Sequence, residues 1–449
     1  MPATALDSAI FGNLFGTEAM RQVWSDENRT RKYLDIEAAL AKVQGRLGII
    51  PEKAAAEIVR NCRFERIDMA KLRSQTERIG YPVLGVVQQL VALCADGLGE
   101  WCHWGATTQD ITDTATVLQI REGLELIEAD LKTLSASLGE LARKHRDTPM
   151  VGRSNLQQAV PVTFGYKVAG ILSAIERHRA RLQELKPRVL MGEFAGAAGT
   201  LASLDKKPLE IQQALMQELG LAQPAIAWHT IRDTIAETGC FLGLVTGTLG
   251  KLAMDVKLLM QTEVGEVYEP FAHGRGSSST MPQKRNPISS LYMHACAGIV
   301  RQNVAALLDA MVADHERSTG PWEIEWIALP EAFVLTAGSL AQAKLVVAGL
   351  EVDPKRMRAN LDMTHGLVVS EAVMMGLSPY LGRQYAHDLV YDLCREAVKQ
   401  DKPLLDLLAA NAEITKHVDR KKLAALCDPA NYLGLSGVMV DRVLERRKA

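Results

Sequence analysis

Apolar residues recur along most of this chain at steps of three and four, the spacing of one helix face, while alternation at period two is scarce. The longest register runs Ile120, Leu124, Ile127, Leu131, Leu134, Leu138, Leu141, an unbroken a/d seam. A second seam, Leu242, Val245, Leu249, Leu252, Val256, Leu259, crosses a stretch without proline. Seams of this length predict long helices packed as a bundle, and the segments from Val162 to Leu185 and from Pro287 to Ala313 have the same character. The pattern therefore predicts an all-α protein.

Before the first seam, shorter helical patterns are broken at Gly48, Pro51, Gly80 and Pro82, which predicts an N-terminal helical domain over 1–113. The long-helix bundle follows over 114–353. It closes near Val352-Asp353-Pro354, where a proline after an acidic residue stops the helix expected from Leu340 to Leu350. Residues 354–449 read as a small C-terminal helical domain with a basic end, Arg442 to Lys448. Stripes this long can exceed what one chain covers, so homo-oligomerisation is predicted; the competing arrangement buries every stripe within one copy.

Composition narrows the partners. The chain has 449 residues, 47% of them hydrophobic, enough for a substantial core. Its 51 basic and 53 acidic residues are intermixed, which argues against nucleic acid or an anionic membrane as a partner. No apolar run approaches the roughly 18 residues of a spanning helix, and Met1 to Ile10 has no basic region followed by an apolar core, so no membrane association is expected. Seven scattered cysteines (Cys62, Cys94, Cys102, Cys240, Cys296, Cys394, Cys427) form no CxxC pair. That disfavours structural zinc and a disulfide framework, and it predicts a cytoplasmic protein.

Four polar clusters interrupt the helical pattern. His103-Trp104-Gly105-Ala106-Thr107-Thr108-Gln109-Asp110 ends where a helix should begin; Thr108 and Asp110 suit a cap, and the same helix start suits a substrate carboxylate. Gly152 to Thr163 carries Asn155, Gln157 and Gln158, uncharged hydrogen-bonding groups ahead of an apolar helix. Trp228-His229-Thr230-Ile231-Arg232-Asp233 precedes another long helix, and its His229 and Arg232 read either as internal groups or as an anion site. The densest is Gly276-Ser277-Ser278-Ser279-Thr280-Met281-Pro282-Gln283-Lys284-Arg285-Asn286-Pro287, with His315-Glu316-Arg317 and Glu325-Trp326 downstream. A Gly/Ser run is often a linker. This one turns basic, and Lys284 with Asn286 suits an oxygen anion that develops during reaction. A phosphate loop is excluded by the lack of a preceding strand and a following Gly-Lys-Ser/Thr, and no Gly-x-Ser-x-Gly elbow supports a hydrolase.

The stretch Ser278 to Pro287 resembles the signature loop of the fumarase/aspartase superfamily, and His103 to Asp110 and Gly152 to Thr163 resemble its other two shared regions, in the same order. The likeness spans nearly the whole chain. Gly-Ala-Thr-Thr-Gln-Asp, Trp-His-Thr-x-Arg-Asp and His315-Glu316-Arg317-Ser318 look most like the bacterial 3-carboxy-cis,cis-muconate cycloisomerase branch. The resemblance implies three helical domains whose long helices form a twenty-helix core in a homotetramer, each active site drawing on three subunits, with no metal and no cofactor. It also implies enediolate chemistry on a small di- or tricarboxylate.

Carried over by position, the resemblance makes Ser278 the proton-transfer group and Lys284 and Asn286 the holders of the enediolate oxygens. Thr107, Thr108 and Gln109 would bind a substrate carboxylate, with His103, His229, Arg232 and Arg317 as further anion contacts; Asn155, Gln157 and Gln158 would line the second region. Two departures stand out. Ser277 replaces a usual glycine, and the second region lacks a histidine: many relatives have Thr-His where this chain has Ser154-Asn155, and cycloisomerases have Leu-Gln-His where it has Leu156-Gln157-Gln158. The leading expectation is lactonisation of 3-carboxy-cis,cis-muconate. The alternatives are a carbon-nitrogen lyase releasing fumarate, an epimerase of an aminodicarboxylate such as iminodisuccinate, and a non-catalytic oligomeric scaffold.

Overall fold

The computed structural model describes residues 4–270, 272 and 274–447. Helices dominate, as the spacing predicts. Both seams lie in long helices, Thr108–Lys144 with 37 residues and Asp233–Leu259 with 27. Ile120, Leu124, Ile127, Leu131, Leu134 and Leu138 are all buried, as are Leu242, Val245, Leu249, Val256 and Leu259. Leu141 and Leu252 are half-buried. The other expected long segments are Phe164–Val189, Ile288–Asp309 and Pro321–Gly349.

The predicted breaks are helix ends. Asp26–Arg46 stops before Gly48, and Glu52–Asn61 starts after Pro51; Met69–Ile79 ends at Gly80, and Pro82 is the first residue of Pro82–Leu93. Proline suits that first position because its missing N–H would have no intrahelical partner. Asp353 caps Pro354–Asp362 by accepting the Arg356 amide at 2.9 Å. Lys448, the end of the basic close, lies outside the described residues.

The chain forms two compact units, each gathered from three segments. The first comprises Met1–Leu131, His178–Gly250 and Tyr292–Ala341; the second comprises Lys132–Arg177, Lys251–Leu291 and Gln342–Ala449. The division runs within the five long helices, and the sequence boundary at 113 falls inside Thr108–Lys144. In the first unit, Gly338 admits the Phe15 carbonyl so closely that a Cβ there would stand 2.2 Å from its oxygen. In the second, Val373, Leu377, Ala386, Val390, Leu404, Leu408 and Leu423 make the core of the C-terminal helices.

Two expectations need correction. Gly152 to Thr163 is not simply a polar approach to a helix: Pro149–Ser154 and Gln157–Thr163 pair as an antiparallel hairpin. A slip at Gly152 breaks the alternation that would have signalled it, and Val267–Tyr268 with Glu351–Val352 is too short to show a period. Asp233–Leu259 and Pro321–Gly349 also do reach the length and hydropathy of a spanning helix. Their apolar windows are 44% and 67% buried inside this chain, as expected of helices hydrophobic on more than one side because they pack against several others.

Candidate active site

In the first unit, the start of Thr108–Lys144 is tied by a buried aspartate. Asp110 accepts the Thr107 amide on Oδ2 at 2.9 Å, which caps the helix, and also the Ala195 and Gly196 amides at 3.0 Å each. His229 Nε2 lies 2.7 Å from its Oδ1. Next to it, Gln109 donates to Asp113 Oδ2 at 3.0 Å and to the His229 carbonyl at 2.8 Å. Its own Oε1 accepts from Arg317, whose guanidinium also donates to Thr107 Oγ1 at 2.8 Å and to the Ala197 carbonyl at 3.0 Å. Thr107 and Arg317, far apart in sequence, thus form one half-buried cationic cradle suited to a carboxylate, and Gln109, buried with both amide hydrogens committed, positions Arg317 from behind.

Arg232 is placed differently from the anion contact expected of it. The side chain is 2% exposed, and every guanidinium nitrogen is engaged: Nε with Glu325, Nη1 with Asp113, Nη2 with both. Burial works against its charge, but the two carboxylates more than compensate and strengthen its hold on the proton. Trp322 Nε1 adds a hydrogen bond to Asp113 at 2.9 Å. Arg232 is therefore an internal cation that braces Asp113, and through it Gln109. His229 is likewise an internal group, spent on Asp110. His103 has Nδ1 2.6 Å from buried Glu37; burial opposes protonation, yet the Glu37 charge and hydrogen bond raise its pKa.

Glu193 escaped the sequence reading, its one visible signal being a lone carboxylate among small apolar residues. It is 1% exposed and lies with Asp110 and His229 so that one ligand-type atom from each falls within 4.8 Å of the others. The grouping resembles a metal site, but Asp110 is saturated by amide donors and His229, and Glu193 Oε2 accepts the Trp228 amide at 2.5 Å. Burial pushes the Glu193 carboxyl up to about 7, with Asp110 and Asp113 adding and His229 and the Trp228 amide opposing. A raised acid pKa makes the folded state hold a proton that the unfolded chain releases. Stability therefore falls as pH rises from the ordinary carboxyl range to about 7, by on the order of 3 kcal/mol, and the cost persists above. Glu193→Gln should raise the melting temperature at pH 8 and leave it nearly unchanged at pH 5. An equal shift at both pH values, read by differential scanning calorimetry, would contradict this assignment.

In the second unit, the Ser-rich loop is closed at its base. Asn286 donates both its backbone N–H and its side-chain Nδ2 to the Gly276 carbonyl, at 3.2 and 2.8 Å. Gly276 has φ of 65°, and a Cβ there would meet the Asn286 oxygen at 2.7 Å, so glycine is required on both counts. Arg285 anchors the far side through two 3.0 Å bonds to Glu351 and one of 2.9 Å to the Glu269 carbonyl. The Glu269 carboxylate accepts the Ser289 and Ser290 amides and so caps Ile288–Asp309.

Within this frame Ser278 Oγ accepts the Met281 and Thr280 amides at 3.0 and 3.3 Å. Two N–H dipoles on that oxygen favour its deprotonated form while leaving its hydrogen free to transfer. Lys284 is exposed on the same loop. One amide hydrogen of Asn286 is committed to Gly276, leaving the other for a ligand.

The hairpin places the second-region residues. Asn155 and Leu156, at φ of 50° and 62°, form its two-residue turn, with Ser154 paired to Gln157. Gln158 Nε2 donates to the Asn360 carbonyl at 3.1 Å, while Gln157 is exposed. Arg153 makes a two-pronged bond to fully buried Glu266, at 2.9 and 2.7 Å, which fixes the strand.

Helical architecture, a capped anion cradle and a basic serine loop are features of a lyase-type enzyme, and comparison with known proteins agrees. A family profile described as Lyase matches residues 15–301, and one described as adenylosuccinate lyase C-terminus matches 366–443. The chain is 58% identical over 446 residues to trans-aconitate decarboxylase 1 of Mycosarcoma maydis, covering 99% of this chain and 90% of that protein. It is 46% identical to the 3-carboxy-cis,cis-muconate cycloisomerase of Pseudomonas aeruginosa, covering 98% and 96%. The solved 3-carboxy-cis,cis-muconate lactonizing enzyme from Pseudomonas putida superposes with a TM-score of 0.93 at 43% identity, over 98% and 99% of the two chains. The chain belongs to the fumarase/aspartase superfamily of enzymes.

Proposed function

We propose that this enzyme takes a small unsaturated tricarboxylate through an enediolate by a reaction that delivers one proton to carbon and abstracts none. The observation that carries this is the pairing of a proton-bearing Ser278, its Oγ held by two amides, with a second region in which Asn155 makes a turn and Gln158 is bonded to Asn360. Elimination of an amine needs a base and then an acid. Decarboxylation of trans-aconitate needs only the acid. The bond from the CH2 carbon to its carboxylate breaks and CO2 leaves, the electron pair makes the new terminal double bond, and the old double bond shifts onto the remaining conjugated carboxylate as an enediolate. Ser278 then protonates the adjacent carbon to give 2-methylidenebutanedioate. Lys284 and the free Asn286 amide hydrogen hold the enediolate oxygens, and the Arg317 and Thr107 cradle, supplied by another subunit of the proposed tetramer, holds a carboxylate.

The 58% identity to a trans-aconitate decarboxylase favours this outcome. A second reading, lactonisation of 3-carboxy-cis,cis-muconate, also needs a single proton: a substrate carboxylate oxygen adds to the double bond, the enediolate forms, and no atoms are lost. The 46% identity to a named cycloisomerase favours it. Homotetramers are part of the proposal, supported by exposed apolar residues on three long helices: Leu244, Leu291, Ile299, Leu308 and Ile327. Incubation of the purified protein with trans-aconitate should release CO2 and show new vinylidene protons by NMR. Loss of diene absorbance with 3-carboxy-cis,cis-muconate would instead select lactonisation, and turnover of neither substrate at high enzyme concentration would reject both.

A further inference from the structure

We propose that the first unit carries a second small-molecule site, a cavity of about 560 Å³ that takes an uncharged, planar aromatic molecule. Its volume falls in the range of ordinary ligand pockets. Four aromatic side chains, Trp24, Tyr33, Trp322 and Trp326, contribute to the wall, with Leu72 and Leu329 between them. Trp322 and Trp326 meet edge to face at 4.9 Å, and Tyr81 stacks on Trp322 at 5.8 Å, so the rings are held by one another.

The threonine hydroxyls of the wall are already used, whereas the Trp24 and Trp326 N–H groups are buried without a partner. Thr30, Thr112 and Thr116 donate their hydroxyls to the carbonyls of Asp26, Thr108 and Thr112 at 2.8 to 3.0 Å, and the Trp322 N–H is bound to Asp113. The charges are paired as well: Arg29 with Asp26, Arg73 with Glu77, and Glu325 with Arg232. The remaining rim charge, Glu27, is acidic and exposed. An occupant thus meets ring faces and aliphatic groups, two of the rings being indoles whose N–H donors have no partner, with no unpaired cation to attract a carboxylate. This separates the cavity chemically from the Arg317 cradle, although Trp322 and Glu325 touch Asp113 and Arg232 on its other side.

The test is calorimetric titration of the full-length protein with 2-naphthol, compared with a variant carrying Thr76→Phe and Thr116→Phe. Both residues line the cavity and are half-buried, so the added rings occupy its space from two helices. The expected result is one saturable site per chain, with affinity at least about tenfold lower in the variant. If circular dichroism shows the double variant misfolded, Thr76→Phe alone serves, with the same expectation. No saturable binding to the wild type, or equal binding by a folded filled variant, would overturn the proposal. Because the readout is binding and not turnover, its failure is distinct from failure of the proposed reaction.

Discussion

Replacing Ser278 with alanine is expected to lower kcat by about three powers of ten or more while leaving the fold and assembly intact. Positioned proton transfer contributes about 10²- to 10⁴-fold, and removing the only hydroxyl that performs it forfeits that contribution in the step itself. The structural cost is small, because Ser278 is half-buried and its oxygen merely accepts the Thr280 and Met281 amides on an open loop. Steady-state kinetics on whichever tricarboxylate is turned over would read the loss. Sedimentation equilibrium should return the mass of four chains for both proteins under the proposed homotetramer. A variant retaining activity within tenfold would sink the assignment of Ser278 as proton donor, and a protein with no turnover to lose would favour the scaffold reading.

Arg232→Ala is expected to be the most damaging single change to stability. The guanidinium compensates two carboxylates, Asp113 and Glu325, that are 1% and 4% exposed. Removing it leaves both charges buried; breaking a pair of this kind costs about 3–5 kcal/mol. Burial already pushes the Glu325 carboxyl upward against the influence of Arg232, so in the variant this group should take up a proton more readily. The urea midpoint should drop accordingly, less so at acidic pH where protonation relieves the unpaired charge. Were Arg232 a direct contact for substrate, the same change would raise KM and leave the urea midpoint where it was. The two outcomes separate an internal brace from a binding residue.

The Arg232 case shows why the candidate site was only partly legible. The residues named from motifs include those that the structure gathers at the cradle, Thr107 and Arg317 with Gln109 behind them, and the loop residues Ser278, Lys284 and Asn286. Their roles were harder to read than their identities. An arginine three residues after a histidine looks the same in sequence whether it faces a ligand or two buried acids; Asp113 and Glu325, which settle the matter, lie over 90 residues away in opposite directions. Glu193 had no motif at all, since its environment is made by Asp110 and His229, each also distant in sequence.

The helices were legible because a buried helix face imposes a spacing that its own residues must carry: Ile120 to Leu138 announce one, and Gly48, Pro51, Gly80 and Pro82 mark the ends of others. The superfamily was legible because the loop chemistry is contiguous, from Ser278 to Pro287. What tertiary structure alone decided is which polar groups are free. Whether a guanidinium, amide or carboxyl is available depends on partners brought from remote segments, and on how much water is excluded around them. Neither quantity is written in local spacing. It took the fold to commit Arg232 and His229 inward, to leave Arg317 at the cradle, and to turn Asn155 and Gln158 into parts of a hairpin.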